Sequence, residues 1–230
     1  MIGCGALGAH IREIAARRGW RIELHLLPAL LHNRPERIAP AAQDLALRLQ
    51  GRGLRVVLAY ADCGSYGALD QLCARLGLQR LAGLHCYDVF GGADRLRAEL
   101  ESQPGTYLLT DYLVRSFRRT VLAELGLDRH PELWPDYFGH YRRLVWLAQA
   151  SAAAPDGPAA DRAALDRAAL DREAAAIAAM FGLPLTVLDV GTVGLERELE
   201  RLVTGAAPPA LAADAAPGAA AGTREPDGAR

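Results

Sequence analysis

The sequence predicts an α/β fold, and three observations carry that reading. Strand, glycine-containing turn and helix succeed one another about four times before residue 111. Several strand candidates, residues 54–60 above all, are near-continuous apolar runs, as in parallel strands covered on both faces. The second half is richer in helical stripes. Together these imply a mostly parallel sheet wound with helices, a Rossmann-like three-layer arrangement, with helical additions in the second half.

Taken in order, residues 8–18 carry Ile11, Ile14 and Ala15 on one helical face, residues 20–26 read as a strand, and residues 28–35 as a loop. A helix over 38–50 leads to the strand 54–60. Residues 67–76 are helical, with Leu69, Leu72, Cys73 and Leu76 at i, i+3, i+4 and i+7. A short strand over 81–84 enters a turn at His85 and Cys86; a helix over 94–102 and a strand over 107–109 follow. Val114, Phe117, Val121 and Leu125 stripe one helix, and Phe138, Tyr141, Val145 and Ala148 are read as another, with a loop over 126–135 between them. Pro184 to Val190 reads as a last strand and Gly194 to Val203 as a last amphipathic helix.

A single α/β domain is expected over 1–203, with a linker-like insertion at 151–160 and a disordered tail at 204–230, where alanine, proline and glycine dominate. The motif Asp-Arg-Ala-Ala-Leu recurs at Asp161 and Asp166, a period of five that precesses around a helix and reads as an exposed repeat. The strand ahead of Gly3 is so short that the start is expected to lie upstream.

Composition narrows the function. Net charge is −1 and pI about 6.6, without the basic patch that nucleic-acid binding needs. All 26 basic residues are arginine, so lysine Schiff-base and phosphate-loop chemistry are excluded. No apolar run is long enough for a membrane span and no signal segment opens the chain, so a cytoplasmic protein is expected. In that compartment four cysteines read as ligands, reactive thiols or core residues rather than disulfides.

Cys73 lies on an apolar helical face and is read as core. Cys4, Cys63 and Cys86 each sit after an apolar run and before a turn, where α/β sheets bind ligands. Convergence of the three would make a zinc site or a four-iron cluster with one open iron, His32 or His85 being candidates for a further ligand. A reactive thiol and simple packing are the other readings. Asp62, Asp88 and Asp111, at strand ends, are candidate acids, bases or orienting partners, with an N-cap as the structural reading of Asp111. Arg34, Arg115, Arg118 and Arg119 could bind a substrate carboxylate or phosphate. Gly3, Gly5 and Gly8 spell G-x-G-x-x-G, which with Gly64 marks candidate cofactor-binding glycines. The acidic residue such a dinucleotide motif calls for would be Glu23, in mid-strand, which makes dinucleotide binding the weaker alternative.

Seven motifs in order, Cys-Gly-Ala-Leu, Leu-His-Asn-Arg-Pro, Tyr-Ala-Asp-Cys-Gly, Leu-His-Cys-Tyr-Asp, Leu-Thr-Asp-Tyr-Leu, Leu-Gly-Leu-Asp-Arg-His-Pro-Glu-Leu and Phe-Gly-His-Tyr-Arg-Arg, resemble the family called domain of unknown function 1638. The resemblance spans about residues 2–203. It implies proximity to corrinoid-dependent methyltransferase systems, hence methyl-transfer or one-carbon metabolism, with a small-molecule substrate or a corrinoid or methyltransferase protein as partner. It places the family's cysteine motifs on Cys4, Cys63 and Cys86. A non-enzymatic accessory protein or adaptor with a structural zinc is the alternative.

Overall fold

The computed structural model of the chain describes residues 1–149 and 158–206. Its strands are all parallel and fall into two three-stranded sheets. In the first, β1 (Ile2–Cys4) lies between β2 (His25–Leu27) and β3 (Leu58–Ala59), with Ile2 opposite both His25 and Leu58. A bridge from Leu58 to Arg80 extends this sheet by one step. In the second, β5 (Arg143–Ala148) lies between β4 (Thr106–Thr110) and β6 (Leu185–Asp189).

The helices follow from the apolar stripes. α1 (Gly8–Arg17) buries Ile11 and Ile14, α2 (Ile38–Gly51) buries Ala42, Ala46 and Leu49, and α3 (Ala68–Leu76) buries Leu69, Leu72 and Cys73. All join one core around the first sheet. Two short-range helices, α4 (Cys86–Gly91) and α5 (Ala93–Ser102), lead to the second sheet. There α6 (Asp111–Phe117), α7 (Trp134–Phe138) and α8 (Pro158–Phe181) surround a second core containing Phe117, Phe138, Trp146 and Ile177. Leu96 of α5 packs on Val145 and Leu147, so β5 is covered on both faces. The last helix, α9 (Val193–Thr204), returns to the first core through Leu195, Leu199 and Leu202.

Alternating strands and helices are therefore present as expected, with corrections in detail. The stripe Phe138, Tyr141, Val145, Ala148 is not a helix: residues 143–148 are the central strand of the second sheet. Leu144 to Ala148 are all fully buried, and a strand covered on both faces shows no alternation, so its residues satisfy helical spacing by accident. The expected turn at Cys86 is a helix of six residues. The strands over 20–26 and 54–60 shrink to the pairs that find partners, and 81–84 contributes only the bridge at Arg80. The repeat from Asp161 lies on α8, where Leu165 is exposed and Leu170 buried, so the five-residue period does precess. The inserted segment before Pro158 and the tail beyond Ala206 lie outside the described residues. No described helix is long and apolar enough to cross a membrane.

Candidate functional site

Cys4 ends β1, Cys63 follows β3 by four residues, and Cys86 opens α4 just beyond the bridge at Arg80. β1, the loop after β3 and the start of α4 thus each deliver one thiol, and all three line one cavity of about 470 Å³. His32, from the turn after β2, and His85 stand at its rim, both exposed. Cys73 is buried in the first core and does not line the cavity.

The loop holding Cys63 is built around Asp62. Its carboxylate accepts from Ser65 Oγ at 2.6 Å and from the amides of Tyr66 and Gly67 at 3.0 Å each. Burial opposes ionisation of Asp62, but these bonds outweigh it and hold the carboxyl below its usual range. The same loop places Cys63 and Tyr66 at φ 50°, a left-handed conformation uncommon for residues with a side chain. The Cys63 amide is fixed by Leu84 O at 2.7 Å, joining the loop to the segment that carries Cys86.

The thiols sit in an apolar setting that disfavours charge. Burial raises the pKa of Cys4, backbone amides of Ala6 and Leu7 and the Tyr60 hydroxyl pulling the other way. Burial and then Cys4 push Cys63 up to about 12, against the amide of Cys86. Cys86 is pushed up too, by burial and then by Cys63 and Cys4, so the three groups feel one another. Tyr60, 2% exposed, turns its hydroxyl toward Cys4 and finds no conventional hydrogen-bond partner among the described residues. Partial burial, followed by the neighbouring His85, lowers the pKa of His32. Among the described residues no three His, Cys, Asp or Glu side chains are drawn tightly enough together to hold a single ion as they stand.

The remaining candidates lie apart from the cavity. Asp88 caps α4, accepting from the amides of Leu84 at 2.8 Å and His85 at 2.9 Å. Asp111, fully buried at the start of α6, accepts from Trp146 Nε1 at 2.9 Å and the Gln149 amide at 3.1 Å, tying β4 to β5. Neither these two carboxylates nor Asp62 lines the cavity. Arg34, Arg115, Arg118 and Arg119 are exposed and line none of it. Gly3, Gly5 and Gly64 do not line it either. Packing accounts for the first two: a Cβ would stand 3.1 Å from Ile11 Cδ1 at Gly3, and 3.0 Å from Leu27 O at Gly5. Gly64, at φ 81°, serves the turn after Cys63.

What the sequence reading missed is the far wall. Tyr60, Tyr87, Tyr107 and Tyr141 line the cavity with Thr106, Thr110 and Thr120. The only signal for them was a tyrosine at or beside several strand ends, which is equally ordinary strand composition.

The model of a family described as a protein of unknown function, DUF1638, matches residues 26–199, which takes in Cys63, Cys86 and His32 but not Cys4. No curated protein and no solved structure matches the chain.

Proposed function

The chain belongs to the DUF1638 family, and for it we propose that Cys4, Cys63 and Cys86 hold an iron–sulfur cluster or metal ion whose open side faces a bound small molecule, in methyl-transfer or one-carbon metabolism. The observation that carries this reading is that three thiols, from the end of β1, the loop after β3 and the start of α4, line one cavity. The methyl-transfer setting rests on the family resemblance alone.

Electrostatics favour ligation over a lone nucleophile. A reactive thiol needs its pKa lowered, whereas burial raises all three here. A soft metal replaces the proton outright and removes that obstacle. Donors are in place for the resulting thiolates: amides of Ala6 and Leu7 toward Cys4, and the Cys86 amide toward Cys63. A Cys4 thiolate would also give the Tyr60 hydroxyl a partner. A cluster held by three thiolates would leave a fourth iron for water or substrate. That metal would supply Lewis-acid or electron-transfer chemistry, while the protein's part is to bury the thiolates and orient the ligand.

A second reading is favoured by His32 and His85, which both line the cavity near the thiols. With one of them as fourth ligand the site is a closed zinc centre, and the protein an accessory or adaptor for a corrinoid or methyltransferase protein. Free thiols in a reducing compartment fit a cytoplasmic protein under either reading.

Anaerobic metal and sulfide analysis separates the readings. An open cluster gives a brown protein with roughly four irons per chain, lost in Cys63→Ala and kept in His32→Ala and Cys73→Ala. Colourless protein with one zinc, lost in both His32→Ala and Cys63→Ala, supports the adaptor. No metal in the parent after reconstitution with ferrous iron and sulfide, or with zinc, removes both.

A further inference from the structure

We infer that the chamber beside the thiols binds a neutral, mainly apolar small molecule with a carbonyl or amide group, and rejects carboxylates and phosphates. This names the ligand class for the site proposed above; it rests on that reading for the chemistry but not for the binding.

Charge is the first argument. Among the described residues lining the cavity there is no arginine, aspartate or glutamate, and the chain has no lysine. The only basic groups among the described lining residues are His32 and His85 at the rim. An anion entering such a chamber loses hydration and gains no counter-charge, which is costly. The walls deep in it are apolar or neutral: Leu108, Leu113, Val121 and tyrosines whose pKa burial raises further, Tyr107 among them.

The second argument is the wall made by β4. Thr106, Tyr107 and Leu108 all line the cavity, yet consecutive residues of a strand point to opposite faces. The cavity therefore runs along the edge of the strand, where backbone amides and carbonyls are presented. That edge is the one opposite β5, and it pairs with no strand among the described residues. Unpaired backbone groups in an apolar slot call for a ligand that offers hydrogen-bonding atoms without charge, which is what an amide or carbonyl supplies.

Saturation-transfer NMR on the full chain, handled anaerobically, tests this with benzamide, benzoate and inorganic phosphate. Benzamide should bind saturably, benzoate at least tenfold more weakly, and phosphate not at all. Leu113→Trp, which fills the chamber, and Leu100→Trp, at a lining position that is 39% exposed and so tolerant of a larger ring, should each abolish benzamide binding. Leu165→Trp, on the exposed face of α8, should not. Should Leu113→Trp fail to fold by circular dichroism, Leu100→Trp decides alone. Benzoate binding as tightly as benzamide, no benzamide binding to the parent, or benzamide binding that survives the chamber-filling substitutions overturns the inference. The metal reading fails separately: benzamide binding as described to a chain that takes up no metal leaves the chamber standing and removes the cluster, and a metal-loaded chain that ignores benzamide does the reverse.

Discussion

Replacing Asp62 by alanine should cost about 2–4 kcal/mol of stability and displace Cys63. The carboxylate has three donors, Ser65 Oγ and the amides of Tyr66 and Gly67. Hydrogen bonds to a charged group are worth about 1.5–3 kcal/mol each. Tyr66 is 94% exposed, so its amide finds water in the variant and one of the three bonds is largely recovered. The two left-handed residues, Cys63 and Tyr66, store strain of about 1–2 kcal/mol each that the bonds to Asp62 now offset; in the variant the loop can relax, returning part of the loss while moving the thiol. Because the folded-state pKa of Asp62 lies below its unfolded value, its contribution is complete above about pH 5 and is lost as pH falls through the unfolded and then the folded pKa. Urea unfolding of parent and variant should therefore show a gap that is constant from pH 7 to 5 and closes toward pH 3. A gap below about 1 kcal/mol at pH 7, or one that widens on acidification, would refute the assignment of Asp62 as the anchor of the loop.

Tyr66→Gly should stabilise the protein by roughly 0.5–1 kcal/mol in the same assay, since it relieves a left-handed side-chain residue and sacrifices no packing; a loss of stability would mean the ring is needed where it stands. Asp111→Ala leaves Trp146 Nε1 and the Gln149 amide, both buried, without that acceptor, and should cost about 2–5 kcal/mol; a neutral result would free Asp111 from its structural role and return it to candidate chemistry. In metal-free native protein Cys63, with its pKa pushed up to about 12, should carry roughly a thousand-fold less thiolate at pH 8 than an unfolded cysteine, so iodoacetamide followed by peptide mapping should find it protected; rapid native alkylation would revive the nucleophile reading.

That three of the cysteines gather on one cavity was legible because the signal is local. An apolar run, a cysteine and a turn suffice to put Cys4 at the end of β1 and Cys63 in the loop after β3, whereas Cys86 opens α4 beyond a strand reduced to the bridge at Arg80; parallel pairing brings the three segments side by side. Cys73 was separable by the same logic, its helical stripe marking the core. What the sequence hid depends on contacts between distant residues. Nothing in Leu144 to Ala148 distinguishes a buried strand from a buried helical face until α5 and α8 cover it from two sides. Nor does residue order reveal that the ladder stops at Arg80 and resumes at Thr106, leaving the β4 edge free to wall a cavity. The aspartates were ambiguous for a related reason: a carboxylate at a strand end is called for equally by catalysis and by capping, and here backbone amides donate to Asp62 and Asp88, while Asp111 accepts from Trp146 and Gln149.

The division into two sheets raises the question of what fixes the cavity, since its thiols and Tyr60 belong with the first sheet and Tyr107 and Tyr141 with the second. The answer lies in the chain's return. After β6 completes the second sheet, α9 crosses back and packs on α1 and α4. Arg17 and Arg18 of α1 pair with Glu196 and Glu200 of α9, and Arg55 donates to the carbonyls of Leu202 and Val203 at 2.7 Å each. At the crossing, Gly194 lies so close to α4 that a Cβ would stand 2.2 Å from Val89 O, in the same short helix that begins with Cys86. Surface ion pairs contribute little individually, but Leu195, Leu199 and Leu202 bury fully in the first core and make the return costly to undo. The segment that joins the sheets at one end, α4, is thus clamped by the segment that joins them at the other. Two crossings of the chain thus hold the walls of the cavity, which limits how far the elements carrying the thiols and those lining the chamber can move apart.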